Sequence, residues 1–278
     1  MNAARLGIAR GGIELRQTLT YLPDLYGYLF MPVVQIVVLF LMRGHQVPGT
    51  SFSLGSLTLP GVIGMSFAFG GMVGVAALIS VDREDGTLLR AKATPHGMTA
   101  YVIGKIVVAS ATNLLGLVIT LVVGLSAFPG VHLSPGGVLT LVWVALLGLV
   151  ATIPIGIALG SLLPSPRFFG LIMLPFGGLV ALSGIFYPIT HLAGWLQAVG
   201  QVFPMYWLGL GMRAALLPPG LAAVEIGGSF RLPLVFVVLL AWSALGLVAA
   251  PALLRRMARR ESGSRVAARR ERAMLRRT

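Results

Sequence analysis

The residues best suited to binding chemistry lie in a charged segment at positions 81–99, VDREDGTLLRAKATPHGMT, between two long apolar runs. Its charges are concentrated at Asp82, Arg83, Glu84, Asp85, Arg90 and Lys92. The pattern predicts a short helix, because Asp82 can cap the first turn and Pro95 stops it. Leu88 and Leu89 would then face water beside complementary charges, which favours docking of a soluble partner.

Groups that support catalysis are scattered or missing. The chain has no cysteine, and its histidines are far apart in predicted loops, at His45, His96, His132 and His191. The sequence contains no HExxH, no paired carboxylates of the kind that hold magnesium pyrophosphate, and no GxxxxGK[ST] nucleotide-binding loop. We therefore interpret the histidines as surface residues and expect no catalytic, metal or cofactor site in this chain.

Composition indicates an integral membrane protein. Of 278 residues, 56% are hydrophobic and 10% are charged, against about 25% charged in ordinary soluble domains. The formal charge of +13 would favour nucleic-acid binding in a soluble chain, but ten of the arginines follow Leu254, directly after an apolar run. We attribute that charge to membrane topology and expect contact with lipids, not with nucleic acid.

The apolar runs predict an all-α integral membrane protein with six transmembrane helices. The spans are expected at about 26–42, 58–80, 100–127, 137–163, 168–188 and 232–254. Residues 1–254 would form a single transmembrane domain, and residues 255–278 a basic cytosolic tail.

An amphipathic helix is predicted before the first span, at residues 3–24, lying flat at the membrane interface. Pro23 and Asp24 would break it before the span begins. The residues expected on its apolar face are Ile8, Gly12, Leu15, Leu19 and Leu22. A loosely ordered lead-in is the alternative interpretation.

The segment 189–231, between the fifth and sixth spans, is interrupted by prolines and rich in aromatic residues. This pattern favours two short helices that enter the outer leaflet and return, since irregular backbone at that depth must be shielded by protein. The residues assigned to this external re-entrant region are Pro188, Trp195, Pro204, Tyr206 and Trp207.

Basic residues are concentrated on one side of the predicted bundle. The N-terminal segment, the charged segment, the turn at 164–167 and the tail carry most of them, whereas the opposite loops hold only Arg43, Arg213 and Arg231. The positive-inside rule therefore places both termini and the charged segment in the cytosol. Abundant arginine with scarce lysine is typical of a GC-rich bacterial genome, so we expect a bacterial cell membrane.

Polar side chains are rare in the predicted spans, which contain no aspartate or glutamate. Lys105 is interpreted as an anchor that reaches the cytosolic interface. Gln35, Asn113, Thr120 and Ser183 either form hydrogen bonds between helices or line a substrate path. Gly70 and Gly74 form a GxxxG pair, a weak signal of close helix packing.

The chain resembles the permease subunits of type-2 ABC exporters, which export drugs, lipids or polysaccharides. The most specific match is the acidic Gly-Thr-Leu segment between the second and third spans, which in that family forms the coupling helix. Here it comprises Glu84, Asp85, Gly86, Thr87, Leu88 and Leu89, followed by Thr94, Pro95, Gly104 and Lys105. A second match is SGIFYPI at 183–189, with Trp195, Leu196, Pro204 and Tyr206 downstream.

The resemblance implies two permeases, identical or paralogous, that associate with two nucleotide-binding ATPase subunits holding ATP and magnesium. It assigns coupling to the ATPase to Asp82, Arg83, Glu84, Asp85, Gly86, Thr87, Leu88, Leu89 and Arg90. Leu88 and Leu89 would fill an apolar cleft of the ATPase. The sparse charge of the spans favours a hydrophobic or amphipathic substrate. The alternative from another class is an ATP-independent carrier or a scaffold that recruits a soluble partner.

Overall fold

The computed structural model describes residues 2–46, 53–163 and 168–260, and these are almost entirely helical. The α-helices in chain order are α1 (Ala3–Thr20), α2 (Leu22–Met42), α3 (Leu54–Ala68), α4 (Val75–Glu84), α5 (Thr87–Lys92), α6 (Gly97–Ala127), α7 (Pro135–Leu162), α8 (Phe169–Leu182), α9 (Gly194–Val202), α10 (Pro204–Leu216) and α11 (Leu232–Arg260). A π-helical turn, Phe69–Gly74, joins α3 to α4, so Leu54–Glu84 is one continuous helix.

Within the described part of the chain, five helices are long and apolar enough to cross a membrane. They are Leu22–Met42, Leu54–Glu84, Gly97–Ala127, Pro135–Leu162 and Leu232–Met257. With no strand among the described residues, this confirms an all-α integral membrane protein. The predicted fifth span, 168–188, corresponds to α8, which has only 14 residues. At 1.5 Å per residue that is about 21 Å, less than a hydrocarbon core of about 30 Å.

The helices of the first two predicted spans extend beyond the predicted bounds and reach acidic residues there. Helix α2 begins at Leu22, because Pro23 occupies a first-turn position where its missing N–H is tolerated, and Asp24 lies in the same turn. The break from α1 falls at Tyr21 and not at Pro23 and Asp24 as predicted. The helix of the second span runs past residue 80 to Glu84 and buries Asp82.

Helix α1 packs along the start of α6 through Gly7 and Gly11, which do not belong to the predicted apolar face. A Cβ at Gly7 would lie 2.9 Å from the carbonyl oxygen of Ala100, and one at Gly11 would lie 2.9 Å from that of Gly104. Ile8, on the apolar face predicted to lie against the membrane interface, is exposed in the protein. Backbone contact of this closeness requires small residues, and the spacing of four residues is the signal for it.

Close approach between helices also organises the centre of the bundle. A Cβ at Gly64 of α3 would lie 2.5 Å from the backbone nitrogen of Gly209 in α10, and one at Gly156 of α7 would lie 2.1 Å from the carbonyl oxygen of Gly71. The predicted Gly70/Gly74 pair differs between its members: Gly70 allows close approach of the Asn113 side chain of α6, whereas a Cβ at Gly74 would have the carbonyl oxygen of Phe69 in the same helix as its nearest atom, at 3.8 Å.

The segment predicted to hold two short helices forms α9 and α10. Helix α10 is almost wholly buried, and it packs against α3, α7 and α11. Its thirteen residues would span about 20 Å, too short to cross a bilayer. The turn at 164–167 and the end of the basic tail at 261–278 lie outside the described residues, while the start of the tail continues α11 to Arg260.

The Gly64–Gly209 contact predicts opposite outcomes for one substitution at two glycines. Gly64→Ala should destabilise the protein by about 1–3 kcal/mol, because the added methyl meets backbone that cannot move aside. Gly177→Ala in α8, where a Cβ meets nothing within 4 Å, should leave stability unchanged or raise it slightly. Thermal unfolding in detergent, followed by tryptophan fluorescence, measures both. Equal unfolding temperatures for the two variants would contradict the close contact.

Candidate functional site

The charged segment folds as the end of α4, a tight turn and α5. Gly86 adopts a left-handed conformation, with φ of 80°, that favours glycine, and it turns the chain between the two helices. The side chain of Asp85 accepts a hydrogen bond of 2.7 Å from the backbone N–H of Thr87. Gly86 is the N-cap residue of α5, the Asp85 side chain before it accepts from the first N–H of the helix, and Asp82, which was predicted to cap this helix, lies within α4.

Leu88 and Leu89 differ in exposure, and the predicted pair of exposed leucines is wrong for Leu88. Its side chain is 1% exposed and belongs to the hydrophobic core of the protein itself. The turn after α5 closes tightly at Gly97, where a Cβ would lie 2.0 Å from the carbonyl oxygen of Ala91, and this folds α5 back onto α6. Leu89 is partly exposed and remains available to a partner.

The charged groups at this end of the bundle form a buried cluster around Lys105. Lys105 is only 3% exposed. Its ammonium group forms one ion pair with Glu14 of α1 and a second, at 2.8 Å, with Asp82 of α4. Tyr101 donates a 2.8 Å hydrogen bond to the same Asp82 oxygen. The Arg10 guanidinium carbon lies 5.2 Å from the centre of the Tyr101 ring, a cation–π contact.

This cluster corrects two interpretations from the sequence. Lys105 is not a simple anchor with a free, exposed ammonium, because it is buried in ion pairs, and Asp82 does not cap α5. Their side chains join α1, α4 and α6 immediately beside the turn that leads into α5. Arg83 makes a further link, since its guanidinium donates to the backbone carbonyl of Leu163 after α7. Glu84 and Arg90 are exposed.

A cavity of about 550 Å³ opens between α1, α2, the continuous helix Leu54–Glu84 and α6. It begins at the junction of α1 and α2, near Glu14 and Asp24, and extends along α2 as far as Gln35. The Tyr28 hydroxyl, which lines it, donates to the backbone carbonyl of Thr112 and connects α2 to α6. Its volume lies within the range of about 300–1,000 Å³ common for small-molecule sites.

Three of the four side chains predicted to form a substrate path line this cavity: Gln35, Asn113 and Thr120. The Gln35 side-chain oxygen accepts a 2.7 Å hydrogen bond from Ser66 of α3, and the Asn113 amide donates to the Ala109 carbonyl of its own helix. Ser183 does not reach the cavity lining. It is 1% exposed, and its hydroxyl donates to the carbonyl of Val180 at the end of α8, so a hydrogen bond within its own segment satisfies this polar group.

The π-helical turn Phe69–Gly74 forms part of the cavity wall through Phe69, Gly70 and Gly74. Single π-helical turns inside α-helices are frequent at functional sites. The Asn113 amide occupies the space beside Gly70, where a Cβ would lie 2.3 Å from its oxygen. Nothing in the sequence pattern indicated this turn, apart from the run of glycines.

At the opposite end, the predicted re-entrant residues fall into a buried group and an exposed one. Pro204 begins α10, and Tyr206 and Trp207 behind it are 0% and 4% exposed. Arg231 donates to the Tyr206 hydroxyl, and its guanidinium carbon lies 5.1 Å from the Trp207 ring. Trp195 on α9 is 69% exposed, and Pro188 precedes a short 3₁₀ turn, Ile189–His191.

Arg213 and Glu225 form a buried ion pair that the sequence did not predict. The Arg213 Nε lies 2.6 Å from a Glu225 carboxylate oxygen, and both side chains are at most 8% exposed. Arg213 also donates a 3.3 Å hydrogen bond to the Gly184 carbonyl. Arg213 therefore lies within α10 and ties it to its neighbours, so treating it as a loop charge was wrong.

The long apolar helices, with the short charged helix α5 between two of them, define a multi-pass membrane protein. The family described as "ABC-2 type transporter" matches residues 15–217. The chain belongs to this family, and it is a permease component of an ABC transporter, a class that pairs with an ATPase subunit. Comparison with individual curated proteins gave no match.

The buried cluster predicts a large loss of stability when Lys105 is replaced by methionine. Lys105→Met leaves Asp82 and Glu14 without their cation, and stranding a buried charge costs about 3 kcal/mol or more. The thermal unfolding temperature in detergent measures the loss. Adding Asp82→Asn to Lys105→Met should restore part of the stability, because it removes one of the two stranded charges.

Arg90→Met is the matched control. Arg90 is exposed, and its guanidinium donates to the Thr87 hydroxyl at 2.9 Å, a surface contact worth little. An unfolding temperature for Lys105→Met as high as that of Arg90→Met would contradict a structural role for the cluster.

Proposed function

We propose that this chain is the membrane-spanning subunit of an ATP-driven exporter in a bacterial cell membrane, with both termini and α5 in the cytoplasm. It moves a hydrophobic or amphipathic substrate, drug-like or lipid-like, out of the cell. A separate nucleotide-binding subunit holds ATP and magnesium and performs the hydrolysis. The chain itself has no catalytic site and binds no cofactor.

The observation that carries this proposal is the attachment of α5 to two long helices. Asp85 and Gly86 alone separate α5 from the helix Leu54–Glu84, and residues 93–96 separate it from α6. The buried pairs of Lys105 with Asp82 and Glu14 hold those two helices and α1 together at the same level. A displacement of α5 by a partner would therefore pass to α4, α6 and α1 as one body.

The working complex in this proposal contains two such permeases, identical or paralogous, and two ATPase subunits, surrounded by membrane lipids. Closure of the ATPase pair on ATP displaces the two α5 helices, and the permeases change from accepting substrate at the cytoplasmic side to releasing it outside. The exposed Glu84, Asp85 and Arg90 and the partly exposed Leu89 form the contact with the ATPase. Leu88 supports α5 from within.

The cavity between α1, α2, α3 and α6 is the proposed start of the substrate path. Its lining includes apolar side chains such as Met31, Phe69, Leu78 and Val108, with the neutral polar groups of Gln35, Asn113 and Thr120 among them. An apolar pocket with a few polar groups binds amphipathic molecules by burying their apolar surface and satisfying isolated hydrogen bonds.

Purification of the tagged chain from its native membrane in mild detergent tests the complex. We expect a subunit bearing GxxxxGK[ST] to accompany it, identified by mass spectrometry, and the eluate to hydrolyse ATP. Recovery of the folded chain without any ATPase, under conditions that preserve other membrane complexes, would contradict the exporter and favour an ATP-independent carrier or scaffold. Transport by the chain alone in vesicles would then distinguish these two.

Leu89→Asp tests the contact made by α5. A carboxylate placed in an apolar cleft of the ATPase is costly, so we expect at least about tenfold weaker association and loss of ATP-dependent transport. Thr99→Asp is the control, since it adds the same charge at an exposed position in the first turn of α6, where a negative charge is tolerated. Full ATP-dependent transport by Leu89→Asp would refute the contact.

A further inference from the structure

Among the described residues, the lining of the cavity between α1, α2, α3 and α6 contains acidic but no basic side chains. Glu14 and Asp24 are the charged residues among those that line it. Glu14 is paired with Lys105, which is not part of the lining. Asp24 forms no ion pair with any described residue and is exposed at the rim. The rim therefore carries a carboxylate, Asp24, that has no described cation beside it.

The deeper wall offers neutral dipoles and apolar surface to the molecule that enters. Gln35 is 9% exposed, and while its side-chain oxygen accepts from Ser66, its NH₂ group donates to no described residue. Phe69 and Leu78 belong to the same wall. A molecule that fits this arrangement has a positive end for the rim and an apolar body for the interior.

We propose that the cavity binds a monovalent organic cation with an apolar body, held by Asp24 at the rim and by the apolar wall beneath it. This rests on the proposed function, since it specifies the substrate class of that exporter. Anions of the same size are disfavoured because they would meet the Asp24 carboxylate, and none of the described lining residues is basic and could offset it. A neutral amphiphile would form no ion pair with the Asp24 carboxylate.

Tetraphenylphosphonium and tetraphenylborate are probes of nearly equal shape and opposite charge. Equilibrium dialysis against the purified chain, corrected for detergent micelles alone, measures the binding of each. We expect the cation to bind more tightly than the anion. Asp24→Asn should weaken the cation about two- to fivefold, as the loss of a partly solvated ion pair does, and should not weaken the anion.

Gly27→Leu tests the location. Gly27 lines the cavity, and a Cβ there meets nothing within 4 Å, so the larger side chain fills the cavity without disturbing the fold. We expect it to reduce binding of the cation at least about fivefold. Gly177→Leu, at an equally open glycine of α8 outside the lining, should leave cation binding unchanged.

These measurements use the chain without its ATPase, so they are independent of the test for the complex. Preferential cation binding that falls in Asp24→Asn and Gly27→Leu supports the inference even where no ATPase is recovered. Equal binding of the two ions, or cation binding that both variants retain in full, overturns it. If the complex hydrolyses ATP and transports but shows either of these two results, the chain is still an exporter, and its substrate is not an organic cation held by Asp24.

Discussion

The rest of the structure depends on the need to pair the buried ammonium of Lys105. An unpaired charge in a low-dielectric interior costs several kcal/mol, so the carboxylates of Asp82 and Glu14 must stay beside it. Each carboxylate comes from a different helix, and the three helices are thereby held in one relative position. The short helix α5 begins three residues after α4 ends, so its position relative to the bundle follows from the same constraint.

The long helices could be predicted because crossing a membrane is a property of a local stretch of sequence. Apolar runs about twenty residues long identified α2, α6, α7 and α11, and the structure moves their ends by only a few residues. Leu88 could not be predicted as a core residue, because its burial depends on the tight turn at Gly97 and the return of α5 onto α6. The pairs of Lys105 join residues up to 91 positions apart, and no local pattern contains that information.

The candidate cavity was foreseen in part, for a similar reason. Polar residues in apolar spans are few, so Gln35, Asn113 and Thr120 were identifiable from their type and depth alone. Ser183 is also a polar residue of a predicted span, but its hydroxyl donates to the carbonyl of Val180 at the end of the same helix. Sequence alone cannot distinguish a serine that makes such a local hydrogen bond from one that faces a cavity. Asp24 was assigned to a helix break, since Pro23 reads equally well as the end of one helix and the start of the next.

The π-helical turn Phe69–Gly74 also sets the rotational phase of everything that follows it in the same helix. A π turn takes up one more residue than a regular turn, and one residue of an α-helix corresponds to a rotation of about 100°. Without it, the side chains of α4 would be turned by about that angle around the helix axis, and Asp82 would leave the side of the helix that faces Lys105. The shape of the cavity wall and the alignment of a carboxylate near α5 are thus two results of a single inserted residue.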